Sequence, residues 1–418
     1  MINHFERFSQ TDRRDFANVA TGNLHAAMAA VGGSTEVELD ERLPGLDALR
    51  VGLILLGIPF HAALPFADGA LGLIHADRSS EVVAVVVVLL RTLRMPAFFL
   101  VAGFFAARLL AKRPADVWLR DRFVRLVIPF VVALVTIVPL QRAITGAYRD
   151  ATGILVGAPQ PSFHHLWFLA ILFAFCLFVV TARPLLDSAI DAVAARAVRL
   201  FGRHTTGFGF LVLVAVAILW ELAIKAFFDA EIPPDARLAG TMRLAAVYLP
   251  WYLFGYAIGR VPGAMARFAE PSSSTLVLAA TFLAFDLAVA GVPNLESFST
   301  LHLAAWTGSA WYVARIAVAA TARLGFTSAP LFRRLGDWTM PIYLLHHPWT
   351  LAIALLLLPT HWPAEVQFAL VTILATAATF ASCAVVDRAP LLAILLNGRR
   401  LPPLPFGARR TVPVEVTT

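Results

Sequence analysis

The sequence predicts an all-α membrane protein, a helix bundle of about ten transmembrane helices with both termini in the cytoplasm. Three observations lead to this prediction. The chain of 418 residues is 59% hydrophobic and only 15% charged, whereas a soluble domain is about half apolar and a quarter charged. Ten apolar segments are long enough to span a bilayer, and the loops between them alternate in charge. The lipid bilayer is therefore the expected surroundings of most of the chain.

The ten spans follow from segment length, since a spanning helix needs about 20 mostly apolar residues. We place them at residues 46–67, 82–107, 124–145, 165–182, 207–228, 241–259, 273–292, 299–322, 338–358 and 366–386. No long polar insertion separates them. We therefore predict a single transmembrane domain over residues 46–390, a polar cytoplasmic extension over residues 1–45 and a cytoplasmic tail over residues 391–418.

Lys and Arg concentrate in alternate loops. The loops after the even-numbered spans carry fifteen of them and the loops after the odd-numbered spans carry four. Because cytoplasmic loops are enriched in Lys and Arg, the alternation supports the helix count and places both termini in the cytoplasm. The net charge of +7 has the same explanation. No basic stretch is interleaved with aromatic residues, so we expect no nucleic-acid partner.

The first predicted span carries Arg50 and His61 on one helix face. They are eleven residues apart, close to three whole turns, with a rise of about 16 Å between them. Pro59 removes one backbone hydrogen bond and should distort the helix beside His61. A lone buried histidine is more often structural than catalytic. Its alignment with Arg50 and its place beside Pro59 favour a functional role for His61.

Arg91 and Arg94 lie three residues apart in the second span, with no acid nearby in the sequence. Charged groups inside a membrane are costly, so each needs a partner or a function. A guanidinium suits a phosphate or a carboxylate. An anionic ligand is one interpretation. Pairing with a distant acid is the other, of equal weight, and the candidate acids are Asp47, Glu221 and Asp286.

Two more charged pairs occur at helical spacing. Arg122 and Arg125 share a face at the cytoplasmic border of the third span, where arginines are also common as simple anchors. Glu221 and Lys225 stand four residues apart in the fifth span and predict an internal ion pair. No combination of carboxylate and histidine has the spacing of a known metal motif, so we predict no metal site.

Histidines recur in the fourth and ninth spans, as His165 before Trp167 and as His346 and His347 after Tyr343. They line a cavity or lie at a wet interface, and Trp167 is also an ordinary interface residue. Adjacent residues on a helix point about 100° apart. We therefore expect at most one of His346 and His347 to face a shared cavity squarely.

Positive charge thus lies at the cytoplasmic ends of the first and third spans, and imidazoles lie deeper. This arrangement suits a large anionic donor that enters from the cytoplasm. Imidazole is the usual general base near neutral pH.

Five short motifs, in this order, resemble the acyltransferase-3 superfamily of membrane acyltransferases. They are Leu46–Arg50 with His61, Pro96–Phe105, Arg122 and Arg125 before Ile128-Pro129, His165–Leu169, and Ile342–His346. The matches extend over roughly residues 42–390. Within the superfamily, residues 56–61 and 343–348 resemble most the members that add succinyl groups to osmoregulated periplasmic glucans.

The resemblance implies a multi-pass enzyme of the bacterial inner membrane. It would move an acyl group, expected to be succinyl from succinyl-CoA, to a hydroxyl of a periplasmic glucan, without a further cofactor. His61 would be the general base, or less readily would take the acyl group itself. The expected donor-binding residues are Arg50, Arg122, Arg125, Arg91 and Arg94. The expected acceptor or cavity residues are His165, Trp167, His346, His347, Tyr343, Glu221 and Lys225.

Three alternatives remain open from the sequence. One is an O-acetyltransferase of another cell-surface glycan. A second is a glycan or lipid transporter, which the lack of an internal repeat counts against. The third is a scaffold without catalytic activity, in which the buried charges only hold the bundle together.

Overall fold

The computed structural model describes residues 44–67, 73–152, 163–201, 206–231, 238–290, 299–324 and 330–398. Within these ranges the chain is helical and contains no β-strand. The helices are α1 (Pro44–Leu55), α2 (Gly57–Ala63), α3 (Glu81–Lys112), α4 (Ala115–Arg122), α5 (Ile128–Thr152), α6 (Trp167–Phe201), α7 (Thr206–Glu231), α8 (Ala239–Arg260), α9 (Ala264–Phe268), α10 (Ser273–Ala290), α11 (Ser299–Arg323), α12 (Pro330–Leu357), α13 (Ala364–Arg388) and α14 (Pro390–Asn397). Residues 1–43 of the predicted extension, and the predicted tail from residue 399, lie outside the described residues.

Seven helical stretches of the described chain are long and apolar enough to cross a membrane. They are Gly45–Phe66, Glu81–Lys112, Ala115–Thr152, His164–Arg196, Phe208–Glu231, Arg334–Thr360 and Ala364–Arg388. The all-helical membrane class is thereby confirmed. The other three predicted spans, at 241–259, 273–292 and 299–322, coincide with α8, α10 and α11, which fall short of the same requirement. The count of ten spans stays a prediction.

The chain forms two compact units. Within the described residues, the larger unit comprises 44–186 and 206–398. The described part of the smaller unit is the end of α6 from Asp187. All the candidate site residues belong to the larger unit.

The first predicted span is divided into two helices at Leu56. Pro59 has no N–H to bond the carbonyl of Leu55, four residues earlier, and the helix breaks at that point. The distortion predicted for Pro59 is confirmed. His61 therefore lies on a separate short helix, α2.

Glycines bring α3 and α8 into backbone contact. A Cβ atom at Gly103 would lie 2.0 Å from the carbonyl oxygen of Tyr252, and one at Gly255 would lie 1.9 Å from that of Leu100. Small residues are the usual means by which membrane helices approach this closely. The contact fixes α3, the helix that carries Arg91 and Arg94.

Helix α12, which carries His346 and His347, is in contact with α1, α2, α5 and α13. It therefore brings side chains from the end of the sequence beside those of the first and third predicted spans. Helix α14 follows α13 after Ala389 and packs against α5, α12 and α13. The region predicted as a tail thus begins with a packed helix.

Candidate functional site

Four histidines from three helical elements lie together in the described structure. His61 comes from α2, His165 from the 3-10 turn His164–Leu166 before α6, and His346 and His347 from α12. The ring centroid of His61 lies 5.2 Å from that of His346 and 4.5 Å from that of His347. The ring of His165 lies 5.8 Å and 4.7 Å from the same two rings. We call these four residues the imidazole cluster.

Both adjacent histidines of α12 contact His61. Neither of them lines the cavity described below, so the expectation that at most one would face a shared cavity squarely stays a prediction. The rings of His346 and His347 stand 6.3 Å apart at 86°, as neighbours on a helix should. The ring of His61 lies close to both of these rings, because the short helix α2 packs directly against α12.

Gly57 makes room for His346. A Cβ atom at residue 57 would lie 3.2 Å from Nε2 of His346. The Nδ1 atom of His346 donates a hydrogen bond to the carbonyl of Ile342 at 2.9 Å. Nε2 is then the acceptor of the ring, and it has no hydrogen-bond partner among the described residues. An open lone pair of His346 thus faces α2.

Gln141 of α5 joins two members of the imidazole cluster. Its side-chain nitrogen lies 2.7 Å from Nδ1 of His347 and 3.1 Å from Nδ1 of His165. Tyr343 adds a hydrogen bond from its hydroxyl to the carbonyl of His165. Gln141 was not predicted as a site residue. In the sequence it is only a single amide side chain inside an apolar span.

Arg94 faces the imidazole cluster. Its guanidinium carbon lies 4.5 Å from the ring centroid of Phe60, and that ring lies 5.0 Å from the ring of His61. The positive charge of Arg94 is close enough to interact electrostatically with the imidazoles of His61, His346 and His347. No described carboxylate forms an ion pair with it.

Arg91 faces a different group of polar residues. Its Nη2 atom lies 3.3 Å from Nε2 of His302, and that nitrogen lies 3.1 Å from Oδ1 of Asp286. The other oxygen of Asp286 accepts hydrogen bonds from Thr92 at 3.3 Å and Ser309 at 3.4 Å. We call these five residues the aspartate cluster. Arg91 therefore reaches an acid only through the ring of His302, and Arg94 has no ion pair with a described acid. Binding of an anion by either arginine stays a prediction.

A cavity of about 520 Å³ extends from three of the five predicted donor-binding arginines to Tyr343, and none of the four histidines is among its lining residues. Arg50, Arg122 and Arg125 line it at one end. Along α12 its lining runs from Gly336 to Tyr343, a rise of about 10 Å. The ring of Tyr343 lies 5.5 Å from that of His165 and 6.2 Å from that of His346. Tyr343 therefore lines the cavity and lies next to two members of the imidazole cluster.

The arginine end is built from irregular backbone. Arg125 lies in a π-helical turn, Phe123–Val127, between α4 and α5, and such turns are frequent at functional sites. Arg50 pairs with Asp47 at 3.6 Å. No described acid forms an ion pair with Arg122 or Arg125. The result is a wall with three guanidinium groups that suits an anionic ligand.

The end of α14 closes this wall. The side-chain nitrogen of Asn397 donates to the carbonyl of Asp337 at 2.7 Å. Gly398 has a φ of 59°, and a Cβ atom there would lie 2.8 Å from Cα of Arg125. Asn397 and Gly398 both line the cavity. The contact was not predicted from the sequence, because α14 fell in the predicted tail.

Three other predicted residues lie elsewhere in the described structure. Trp167 stacks on Tyr248 at 5.7 Å. The predicted ion pair between Glu221 and Lys225 is wrong, because Lys225 pairs with Asp229 instead. Asp229 is also four residues from Lys225, so the helical spacing fits either acid. Glu221 is buried, and neither it nor Lys225 lines the cavity.

In the part of the chain that the structure describes, no group of three or more His, Cys, Asp or Glu side chains is arranged to hold a metal ion. The arrangement instead provides open imidazoles, one open guanidinium and a cavity with a cationic wall. It can bind an anion at one end and transfer protons at the other.

Comparison with known proteins adds a family match. The family model Acyl_transf_3, described as an acyltransferase domain, matches residues 43–388. Glucans biosynthesis protein C of Salmonella typhimurium is 24% identical over 255 residues, which cover 58% of this chain and 65% of the Salmonella protein. The protein of the same name from Escherichia coli is 25% identical over 278 residues, 62% of this chain and 71% of that protein. The match thus spans slightly less than two thirds of the Salmonella relative. No solved structure matches the chain.

Proposed function

Because the chain belongs to the acyltransferase-3 family of acyltransferase domains, we propose that it moves a succinyl group from succinyl-CoA to a hydroxyl of a periplasmic glucan. One observation carries the proposal: the cavity with Arg50, Arg122 and Arg125 at one end reaches Tyr343, which contacts the imidazole cluster. In this proposal the enzyme crosses the bacterial inner membrane ten times, with both termini in the cytoplasm. The name of the Salmonella and Escherichia relatives supports the choice of a glucan as acceptor.

The donor binds from the arginine end. Arg50, Arg122 and Arg125 hold the phosphates of coenzyme A, because guanidinium groups bind phosphate oxygens in pairs. The pantetheine arm follows the cavity along α12 towards Tyr343. The thioester then lies beside the imidazole cluster.

His61 acts as the general base. The acceptor hydroxyl attacks the thioester carbon, and an imidazole nitrogen of His61 takes the hydroxyl proton as the new C–O bond forms. The C–S bond then breaks, and the proton passes from His61 to the leaving thiolate of coenzyme A. The Nδ1 atom of His61 has no hydrogen-bond partner among the described residues, which supports an imidazole open to a ligand. Base catalysis of this kind contributes about 10²- to 10⁴-fold in rate.

Arg94 holds the free carboxylate of the succinyl group. It is the second-span arginine that faces the imidazole cluster and has no described acid partner, whereas Arg91 lies beside His302 and Asp286. The two carbonyl carbons of an extended succinyl group are about 4 Å apart, given single C–C bonds of ~1.5 Å. A thioester beside His61 therefore places the carboxylate near Phe60, whose ring lies under the guanidinium of Arg94. His165, His346 and His347 line the reacting centre, and Trp167 with Tyr248 presents aromatic surface to the acceptor.

The experiment is donor binding to purified protein, followed by thermal unfolding with succinyl-CoA or acetyl-CoA. A ligand that binds only the folded protein raises its unfolding temperature. We expect stabilisation by succinyl-CoA that is lost in Arg122→Ala and kept in Arg142→Ala, a matched arginine outside the cavity. Stabilisation by acetyl-CoA alone would keep the acyltransferase and change its donor. No stabilisation by either compound would contradict the proposed function.

A further inference from the structure

We propose that Gln141 is a positioning residue that holds His165 and His347 as a pair of N–H donors for the carbonyl oxygen of the acyl group. This inference rests on the proposed function, because it assigns a task in acyl transfer to residues for which no task has been given. It concerns the oxygen of the thioester, which becomes negative when the acceptor attacks.

The amide of Gln141 fixes which ring nitrogens carry hydrogen. Gln141 is fully buried, and its side-chain nitrogen lies within hydrogen-bond distance of Nδ1 in both His165 and His347. An amide nitrogen only donates, so both Nδ1 atoms accept. Each neutral ring then carries its hydrogen on Nε2.

The rings that carry the two Nε2 atoms lie nearly parallel. The rings of His165 and His347 stack 4.7 Å apart, only 10° from parallel. Because both rings turn Nδ1 towards the same amide, neither Nε2–H group points at Gln141, and the proposal places both groups on one side of the ring stack. Two parallel donors aimed at one place are the arrangement that binds a developing oxyanion.

One of the two donors lacks an acceptor in the described structure. Nε2 of His165 is buried without a hydrogen-bond partner among the described residues. Buried donors are nearly always paired, because an unpaired one is costly. An oxygen of the substrate supplies the missing acceptor.

His346 provides the contrast within the cluster. Its Nδ1 donates to the carbonyl of Ile342, so its Nε2 accepts and does not suit an oxyanion. His347 is the donor nearer to the base, since its ring lies 4.5 Å from that of His61. The donor pair therefore adjoins the proposed base.

The test is Gln141→Glu, which keeps the shape of the side chain but replaces the amide donor by an acceptor. A carboxylate favours hydrogen on the Nδ1 atoms, and a neutral ring with hydrogen on Nδ1 has no Nε2 donor. We expect kcat to fall about 10²- to 10³-fold, as for removal of an oxyanion donor, with the KM for acyl-CoA unchanged. Gln141→Met removes the amide without reversing the rings, so its kcat should lie between those of the wild type and Gln141→Glu.

Gln367→Glu is the matched control. Gln367 is a buried glutamine of α13 that donates to the carbonyl of Trp362 at 2.9 Å and touches no member of the cluster. We expect its kcat to equal that of the wild type. An unchanged kcat in Gln141→Glu, or a loss confined to KM or equal to that of Gln367→Glu, would overturn the proposal.

A second measurement needs no turnover. Nitrogen NMR of protein labelled with ¹⁵N-histidine distinguishes a ring with hydrogen on Nε2 from one with hydrogen on Nδ1. We expect His165 and His347, assigned from the signals lost in His165→Asn and His347→Asn, to carry it on Nε2 in the wild type and on Nδ1 in Gln141→Glu. Hydrogen on Nδ1 in the wild type would overturn the proposal. If the wild type transfers no acyl group from any acyl-CoA, the proposed function fails, and the catalytic part of the inference fails with it. The NMR result still decides whether Gln141 orients the two rings.

Discussion

The imidazole cluster and the aspartate cluster are both polar groups buried among apolar helices, yet their hydrogen bonding differs. In the aspartate cluster, Asp286 receives hydrogen bonds from Thr92 and Ser309, and its charge is offset by Arg91 across the ring of His302. In the imidazole cluster no described acid is present, and ring nitrogens of three histidines lack partners.

The difference supports the proposed catalytic role of the imidazole cluster and a structural role for the aspartate cluster. Most polar atoms of the aspartate cluster pair with one another and hold α3, α10 and α11 together, although Nε of Arg91 has no hydrogen-bond partner among the described residues. Buried polar groups that remain open are costly to the protein, and a ligand that pairs with them accounts for the cost. The presence of histidine or arginine inside a span is therefore less informative than whether its partners are already in place.

The largest expected effect is on catalysis, at His61. We expect His61→Ala to lower succinyl transfer about 10²- to 10⁴-fold, because the base is lost, with little change in unfolding temperature. Incorporation of radiolabelled succinate into glucan by membrane preparations measures it. The counterpart His302→Ala should keep the transfer rate per folded molecule. Full activity of His61→Ala at normal expression would remove the distinction between the two clusters.

The next effect is on stability, at Asp286. We expect Asp286→Ala to destabilise the protein by about 2–4 kcal/mol, because the hydroxyls of Thr92 and Ser309 lose their shared acceptor and Arg91 loses the nearest acid. The double variant Asp286→Ala with Arg91→Leu should recover part of the lost stability. Thermal unfolding in detergent measures both. If Asp286→Ala unfolded like the wild type but lost transfer activity, the aspartate cluster would belong to the active site.

The smallest expected effect is on donor choice, at Arg94. We expect Arg94→Gln to lower kcat/KM for succinyl-CoA about 10- to 100-fold, the loss of a hydrogen bond to a charged group, and to leave use of acetyl-CoA unchanged. Arg91→Gln, one turn away, should lower the unfolding temperature without changing the ratio of the two donors. Equal losses with both donors in Arg94→Gln would show that Arg94 does not recognise the acyl carboxylate.

Much of the fold was predictable, because each apolar segment of sufficient length has to be helical inside a bilayer. The convergence of Arg50, Arg122 and Arg125 was predictable too, since all three stand at the same border of their spans. The Glu221–Lys225 pair shows where helical spacing fails, because two acids lie four residues from Lys225. The different surroundings of Arg91 and Arg94 could not be predicted, because they depend on the positions of α10 and α11, which no local sequence pattern contains. Gln141 gave no periodic signal, and its importance depends on two rings far away in the sequence.

The contact between Gly398 and the π-helical turn bears on when, during synthesis of the chain, the cationic wall of the cavity is completed. Residues 397 and 398 complete the cationic wall, yet they leave the ribosome after α13, the final predicted span. A chain still being inserted has its arginines in place but lacks the segment that closes around them. If the proposed donor binds to this wall, it would meet the complete wall only after the last predicted span has been synthesised.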